Sequence, residues 1–406
     1  MNPLNANDVQ TFDVAVIGGG PAGATAADDL AQKGFSVMLL DRAGRIKPCG
    51  GAIPPRAMKD FLIPDAMLVA HATKARMISP TNKKVDIPIE NGFVGLVDRC
   101  AFDEWLRERA ASHGAERRIG TFDHLEHLDD GTAIVHFNGR TTAGDTETFP
   151  ARIRAKVVIG ADGAKSEVAR QNVRDAEKTK YVSAYHEIVK VPDAPPADYE
   201  ASRCDVFYNG TMSPDFYGWV FPHGNTASIG VGSAVKGFSL RHATTLVRQA
   251  AGLEHAETLR REGAPIPMKP LRYWDNGKNV VLAGDAAGVV APASGEGIYY
   301  AMAGGRFAGE AAEEFLNTGN AKALATARKR FMKEHGRVFW ILGILQKFWY
   351  SSDKRREKFV KICEDKDVQT LTFESYMHKK LVRKKPMAHV RIFFKDMAHL
   401  LGIAKA

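Results

Sequence analysis

Cysteine is scarce in this sequence, and its few copies lie far apart. No two of the four cysteines in the 406 residues have C-x-x-C spacing. They are Cys49, Cys100, Cys204 and Cys363. Because structural zinc sites use closely spaced Cys and His ligands, we predict no metal site. The polar N-terminus, MNPLNANDVQ, lacks the apolar core of a secretory signal. We therefore expect reduced thiols and a cytoplasmic location.

Long apolar runs are also missing. Near the C-terminus the longest is VFWILGIL, from Val338 to Leu345. A membrane-spanning helix needs about 18 or more apolar residues, so we predict no transmembrane segment. Repeats and low-complexity tracts are absent too. A chain of 406 residues exceeds the size of one growing core, which predicts two or three structural units.

Basic charge is concentrated in the last fifth of the chain. Residues 321–406 hold 21 Lys and Arg against 8 Asp and Glu, whereas the whole chain has a net charge of +9. The same segment contains the aromatic residues Phe331, Phe339, Trp340, Phe348, Trp349 and Tyr350. Basic segments with interleaved aromatics bind nucleic acid or anionic membrane surfaces. We favour a membrane surface over nucleic acid because RVFWILGILQKFWY is too apolar for a phosphate-binding arm. The alternative is a helical cap packed on the body.

The most specific motif is FDVAVIGGGPAGATAADDLAQKGFSVMLLDR. An apolar strand leads into Gly18, Gly20 and Gly23, which have G-x-G-x-x-G spacing, and a helix and second strand follow up to Asp41. This βαβ pattern predicts a dinucleotide site of the Rossmann type. The residues expected to contact the dinucleotide are Gly18, Gly20, Pro21, Ala22, Gly23, Asp41 and Arg42.

Each part of this motif has a physical role. Gly18 makes the tight turn, Gly20 lets the backbone approach a pyrophosphate, and Gly23 lets helix and strand pack closely. The helix N-terminus offers free N–H groups and a positive dipole end to the phosphates. Asp41 accepts hydrogen bonds from a ribose and disfavours a 2′-phosphate, so the nucleotide bound here is not NADP.

Two later strand-and-turn segments and one helix start accompany this motif. They are AKVVIGADGAKSEVAR, KNVVLAGDAAGVVAPASGEGIYYAMAGG and VGLVDRCAFDEWLRERAASHG. Together they resemble the signatures of FAD-dependent enzymes of the aromatic-hydroxylase and geranylgeranyl-reductase superfamily. The resemblance implies FAD, with Asp285 of the Gly-Asp segment on the ribityl chain and the N-terminus of the helix after the following loop at the flavin ring. The residues assigned to FAD on this basis are Arg99, Asp162, Gly163, Gly284, Asp285, Pro292, Gly295 and Gly297.

Two further motifs point to the substrate. KPCGGAIPPRAM contains Cys49, Gly50 and Gly51, and PDFYGWVFPHG has large rings at alternate positions followed by a proline. Both resemble motifs of geranylgeranyl reductases, which carry Cys-Gly-Gly beside the flavin and Tyr-x-Trp-x-Phe-Pro in the substrate domain. The ending REKFVKICEDKDVQTLTFESYMHKKLV is similar to that of the chlorophyll and bacteriochlorophyll members. The residues expected to bind substrate are Tyr217, Trp219, Phe221 and Pro222.

This resemblance implies a reaction. Isolated C=C bonds of a geranylgeranyl chain, on a pigment or as the free diphosphate, are reduced to phytyl with NADPH as donor. A proton must arrive with the hydride, and Cys49, Tyr217 and water are candidate donors. A dry aromatic site would stabilise the developing cation and exclude water. The resemblance also implies peripheral contact with the photosynthetic membrane and with pigment-synthesis enzymes.

Other interpretations share the cofactor motifs. A flavin monooxygenase of a hydrophobic substrate, a prenyl-binding protein without flavin chemistry and an archaeal-type lipid reductase are the alternatives. For Cys49 the alternative is a small buried filler, and for the aromatic strand it is an ordinary core strand. We also expect Pro222 to end that strand.

The predicted fold class is α/β, with three parts. Residues 1–70, 95–175 and 275–320 would form a discontinuous FAD-binding domain with a mainly parallel sheet. Residues 71–94 and 176–274 would form an inserted substrate domain with a mixed or antiparallel sheet. Residues 321–406 would form a basic, aromatic, helical C-terminal region.

Overall fold

The computed structural model describes residues 9–44, 47–90 and 92–370. The β-strands in these residues are β1 (Thr11–Ile17), β2 (Val37–Asp41), β3 (Ala52–Ile53), β4 (Leu68–Ala72), β5 (Lys74–Ile78), β6 (Lys84–Pro88), β7 (Val94–Val97), β8 (Glu116–His127), β9 (Ala133–Arg140), β10 (Phe149–Gly160), β11 (Tyr181–Lys190), β12 (Arg203–Phe207), β13 (Gly218–His223), β14 (Thr226–Ser233), β15 (Thr258–Pro267) and β16 (Val280–Leu282).

Helices connect and cover these strands. The α-helices bounded within the described residues are α1 (Pro21–Gln32), α2 (Pro55–Asp60), α3 (Arg99–Ser112), α4 (Glu167–Asn172), α5 (Leu240–Ala250), α6 (Ile298–Thr318), α7 (Thr326–Trp349) and α8 (Asp353–Ile362). Helices α1 and α6 pack closely because α6 carries glycine at the contact. A Cβ on Gly305 would lie 2.1 Å from the carbonyl oxygen of Ala22.

The first sheet is mainly parallel and contains the N-terminal βαβ unit. Strand β1 lies between β2 and the second half of β10, and both pairings are parallel. Strand β16 pairs in parallel with β10, and the first residues of β8 pair in parallel with β2. The rest of β8, β9 and the first half of β10 form an antiparallel extension. The carboxyl ends of β1, β2, β10 and β16 therefore meet at one edge, where open parallel sheets bind ligands.

The second sheet has seven strands in the order β15-β11-β14-β13-β12-β5-β6. All its pairings are antiparallel except the one between β12 and β5. The remaining strands form a small third sheet in the order β3-β7-β4. The Rossmann-type sheet, the mixed sheet and the C-terminal helices confirm the predicted fold class. The domain boundaries remain a prediction.

The end of strand β13 differs from the prediction. Pro222 was expected to end the strand, but β13 continues to His223 and Pro222 pairs with Ala227 of β14. Pairing with β12 stops at Val220. The N–H that proline lacks is therefore not needed on that side of the strand.

The C-terminal region is helical as far as the structure describes it. Helices α7 and α8 lie within the predicted region, and the part of that prediction after residue 370 falls outside the described residues. Of the helices described, none is long and apolar enough to cross a membrane. The apolar run Val338–Leu345 lies within α7.

Candidate functional site

Two adjoining cavities lie between the sheets. One is polar, about 510 Å³, and lies at the carboxyl edge of the parallel sheet. The other is mainly apolar, about 360 Å³, and lies against one face of the seven-stranded sheet. The residues that line both cavities are Pro21, Lys47, Arg99, Ala264, Pro265, Asp285 and Ala301. A ligand in the polar cavity can therefore reach the apolar one through this shared boundary.

The glycine motif shapes one end of the polar cavity. Gly18 has a φ of +107°, and a Cβ there would lie 2.3 Å from the carbonyl oxygen of Ala161. A Cβ on Gly23 would lie 1.8 Å from the Gly18 carbonyl oxygen, so only glycine permits this packing of strand and helix. By contrast, a Cβ on Gly20 would meet no heavy atom within 4 Å. The backbone at Gly20 therefore faces open space in the cavity, as a pyrophosphate requires.

Asp41 lies at the end of β2 and faces the same cavity. Its carboxylate accepts hydrogen bonds from the Gly19 N–H at 2.8 Å and from the Ala43 N–H at 2.9 Å. Arg107, on α3, lies 3.7 Å from that carboxylate and donates to the Gly19 carbonyl oxygen at 3.1 Å. The sequence motif located Asp41 and its neighbour Arg42 on this cavity, but Arg107 was missed because its contact depends on how α3 packs.

Arg99 lies at the boundary between the cavities. Its buried guanidinium forms a bidentate pair with Asp103, at 2.8 and 2.6 Å. Burial alone would lower the pKa of Arg99, but Asp103 and the adjacent Cys49 sulfur raise it above its usual value. The Cys49 sulfur also accepts the Gly51 N–H at 3.4 Å. Arg99 therefore stays charged, and its guanidinium is held beside Cys49 by the pair with Asp103. Its contact with FAD remains a prediction.

Asp162 has a structural function that the sequence did not reveal. Its carboxylate accepts hydrogen bonds from the Ser166 hydroxyl and from the N–H groups of Glu167, at 2.7 Å, and Val168, at 3.2 Å. It therefore stabilises the start of α4, while burial raises its pKa. Asp162 and Gly163 do line the polar cavity. The predicted contact with cofactor would have to involve the backbone or a carboxylate oxygen already in use.

Asp285 forms an ion pair with Lys47 at the cavity boundary. The Asp285 side chain is 5% exposed, and that of Lys47 is 39% exposed. Lys47 begins the Cys-Gly-Gly segment, but the sequence does not reveal its function because its partner lies far away along the chain. Gly284 holds the turn before Asp285 with a φ of +63°. The pair places one negative and one positive group where the two cavities meet.

The loop before α6 joins the cofactor side to the aromatic strand. Tyr217 donates its hydroxyl to the Ser294 carbonyl oxygen at 2.6 Å, and Tyr350 donates to the Ala293 carbonyl oxygen at 3.0 Å. Gly295 has a φ of +63° and lies against the Phe216 ring. Helix α6 then begins after Gly297, which lines the apolar cavity.

The aromatic strand faces the Cys-Gly-Gly segment across the apolar cavity. Tyr217, Trp219 and Phe221 all line it, as do Cys49 and Gly50. A Cβ on Gly50 would lie 2.8 Å from the Phe221 ring. The structure thus brings together the two motifs assigned to substrate. Four predicted residues line neither cavity: Gly23, Pro222, Gly284 and Pro292.

Residues from the C-terminal helices complete the apolar cavity. Its lining includes Leu342, Leu345, Trp349, Tyr350 and Phe359, together with Tyr208 after β12. Sequence reasoning gave these residues no role in the site. The aromatic enrichment of the region was the signal that could have found them. The alternative interpretation of this region as a helical cap is therefore correct in part, because one side of α7 packs on the rest of the protein.

Burial also bears on the candidate proton donors. The Tyr217 hydroxyl already donates to Ser294, and burial raises its pKa well above the usual value. Tyr217 is therefore a weak acid in this environment. The Cys49 sulfur lies beside the Arg99 guanidinium and accepts the Gly51 N–H. Both side chains line the cavity, and their catalytic roles remain predictions.

Comparisons with known proteins agree with this geometry. Residues 11–331 match the family model described as FAD binding domain. The sequence is 58% identical to the geranylgeranyl diphosphate reductase of Rhodobacter capsulatus, over 97% of this chain and 98% of that protein. The chain belongs to the geranylgeranyl reductase family. The chloroplastic geranylgeranyl diphosphate reductase of Oryza sativa is 36% identical, over 96% of this chain and 86% of that protein.

The fold of this family member also has a solved counterpart. A geranylgeranyl bacteriochlorophyll reductase-like protein from Thermoplasma acidophilum superposes with a TM-score of 0.80. Its sequence is 22% identical, and the match covers 95% of this chain and 99% of that one. This likeness concerns the fold. The resemblance inferred from the sequence motifs is confirmed by the two reductase sequences and the family model.

FAD fits the polar cavity. The open space at Gly20 admits a pyrophosphate, and the N-terminus of α1 faces that space. Each Asp41 oxygen accepts one backbone N–H and keeps a further lone pair for a ribose. At the other end of the cavity, the pair of Lys47 and Asp285 would adjoin the part of FAD nearest the apolar cavity. This family member thus combines a cavity that fits FAD and an aromatic cavity in one continuous space.

Proposed function

We propose that this enzyme reduces isolated C=C bonds of a geranylgeranyl chain to phytyl, on a prenylated pigment or on the free diphosphate, with NADPH as electron donor. The observation that carries the proposal is the continuity of the FAD cavity with an aromatic, apolar cavity. The names of the similar reductases support the same substrate class.

The chemistry needs two electrons and two hydrogens for each double bond. FAD, when bound in the polar cavity and reduced, would supply the hydride. The protein's own residues must supply the rest: a dry space, an orientation for the chain and a proton. The apolar lining excludes water, which would otherwise capture a positive charge developing on the alkene. The rings of Tyr217, Trp219 and Phe221 offer π faces that stabilise such a charge.

Cys49 is our proposed contact with the reacting double bond. It lies in the cavity wall at the boundary with the cofactor side, next to Arg99. Its sulfur lies beside Arg99 and accepts the Gly51 N–H, which holds the thiol at the cavity wall, where it can give its proton to the alkene as the hydride arrives. Tyr217 fits a positioning role better, since its hydroxyl is held by the loop before α6.

The proposal is tested by anaerobic incubation with geranylgeranyl-pigment and NADPH, followed by mass analysis. Mass gains in steps of two hydrogens are expected. A monooxygenase would instead need oxygen and would add oxygen to the substrate. Geranylgeranyl diphosphate and an archaeal-type geranylgeranyl lipid, tested in parallel, separate the substrate alternatives. Absence of any reduced product with all three would refute the proposal.

We further propose that the enzyme works in the cytoplasm at the surface of the photosynthetic membrane. One stripe of α7, with spacings of three and four residues, is exposed and carries only basic and apolar side chains. The members of this α7 outer stripe are Lys329, Lys333, Arg337, Trp340, Ile344 and Lys347. Trp340 is 68% and Ile344 is 47% exposed. Basic side chains around exposed rings suit an anionic bilayer surface. Contacts with pigment-synthesis enzymes remain a prediction.

A further inference from the structure

A buried polar chain ends at the indole of Trp219. Trp219 donates its Nε1–H to the Ser228 hydroxyl oxygen at 3.1 Å. Ser228 lies 2.9 Å from Nδ1 of His186, whose Nε2 lies 2.8 Å from the Glu262 carboxylate. Ser228 and His186 are at most 3% exposed. These hydrogen bonds link three neighbouring strands, β15, β11 and β14, to the aromatic strand β13.

The directions of the hydrogen bonds follow from the groups involved. An indole can only donate, so the Ser228 oxygen accepts from Trp219. The Glu262 carboxylate accepts from Nε2–H of His186, which leaves Nδ1 as an acceptor for the Ser228 hydroxyl. Each donor therefore has an acceptor. The chain runs in one direction, from the indole to the carboxylate.

The order Ser-His-Glu is also that of a hydrolytic triad, but the geometry argues against that role. Ser228 is completely buried and lines neither cavity. Its oxygen already accepts the indole N–H, so it cannot attack a bound ester. His186 lines the apolar cavity while both of its nitrogens are engaged. The arrangement holds a ring rather than a nucleophile.

Trp219 needs such support because its neighbour on β14 is glycine. A Cβ on Gly230 would lie 2.4 Å from the Trp219 ring, so the indole occupies the space of a missing side chain. The rings of Tyr217, His186 and Phe221 lie 6.1, 6.3 and 6.4 Å away by centroid. Trp219 is 7% exposed, so packing confines the ring, but these contacts carry no direction. The N–H bond to Ser228 is the directional contact that fixes the ring.

We infer that Glu262, His186 and Ser228 are positioning residues, which hold the Trp219 indole in one orientation on the wall of the apolar cavity. The inference rests on the proposed function. A ring that is already in the right orientation does not have to reorganise when charge develops during reduction. These three residues should therefore affect turnover more than substrate binding.

A double-mutant cycle tests this coupling. Ser228→Ala should lower kcat about fivefold to tenfold with KM changed less than about twofold, as expected for one hydrogen bond. In a Trp219→Phe background, which lacks the N–H, the same change should cost less than about twofold. Equal losses in both backgrounds would show a merely structural role and overturn the inference. Ser233→Ala is the matched control, since this buried serine on β14 binds Asp215 instead.

A spectroscopic readout separates this inference from the proposed function. The indole N–H resonance of Trp219 is identified in ¹⁵N spectra as the one that is absent from Trp219→Phe. This resonance should shift in Ser228→Ala and stay in place in Ser233→Ala. An unshifted resonance would overturn the inference even if the enzyme reduces its substrate. If Ser228→Ala fails to fold, Glu262→Ala replaces it, because Glu262 is the partly exposed residue of the three. Glu262→Gln is its control, since the amide oxygen can still accept the His186 N–H. Failure of the wild type to reduce any prenyl substrate would refute the function alone.

Discussion

A methyl group added at Gly20 should weaken FAD binding while leaving the fold intact. A Cβ at this position meets no heavy atom within 4 Å, and its φ of −76° suits any residue. The cost in the free energy of unfolding should therefore stay below about 1 kcal/mol. The same methyl occupies the space into which the pyrophosphate must fit. Loss of one hydrogen bond to a charged oxygen costs about 1.5–3 kcal/mol, which raises the Kd for FAD about tenfold to 150-fold.

The assay is titration of the apoprotein with FAD, followed by flavin fluorescence, with thermal unfolding of the apoprotein measured in parallel. Gly144→Ala is the matched control, because its Cβ also meets open space but lies on an exposed loop. Gly23→Ala should behave in the opposite way and destabilise the apoprotein, since its Cβ would lie 1.8 Å from a carbonyl oxygen. Unchanged FAD affinity in a folded Gly20→Ala protein would refute the proposed pyrophosphate position.

Three further predictions concern the substrate side and the surface. Cys49→Ala should lower turnover at least about tenfold with flavin absorbance retained; full turnover would remove Cys49 from the site. Trp340→Ser with Ile344→Ser should lower binding to anionic vesicles about tenfold or more in sedimentation assays, whereas Leu259→Ser, an exposed control on β15, should not. Burial lowers the pKa of His223, so the unfolded chain takes up its proton first on acidification. The free energy of unfolding should therefore fall below about pH 6.5, and less so in His223→Asn; identical pH profiles would contradict this.

The nucleotide site could be predicted because its signal is local. Gly18, Gly20 and Gly23 lie within six residues, and their spacing reflects contacts within a single βαβ unit. Pairs formed between distant segments gave no such signal. Lys47 and Asp285 meet only after the chain has folded, and so do Arg107 and the Gly19 carbonyl oxygen. Sequence reasoning could assign the acid of the first pair but not its partner.

The aromatic strand shows how far periodicity can be taken. Alternate spacing placed Tyr217, Trp219 and Phe221 on one face, and the structure puts all three on one cavity. The same reasoning was wrong about Pro222, because whether a proline ends a strand depends on the neighbouring strand. The glycine opposite Trp219 was visible in the sequence as Gly230. Only the structure shows why glycine is needed there: the Trp219 ring occupies the space that a side chain at Gly230 would fill.

Helix α7 carries the exposed outer stripe on one side and part of the wall of the apolar cavity on the other, and the proposed function gives a reason for this combination. Leu342, Leu345 and Trp349 line the cavity, while Trp340 and Ile344 face outward from the same helix. A geranylgeranyl chain has about twenty carbons, and exposing each CH₂ to water costs about 0.8 kcal/mol. A chain that crossed open water on its way to the flavin would meet a barrier of about 10 kcal/mol or more. If the outer stripe rests on the bilayer, the chain can pass from lipid to cavity along α7 and avoid most of that exposure.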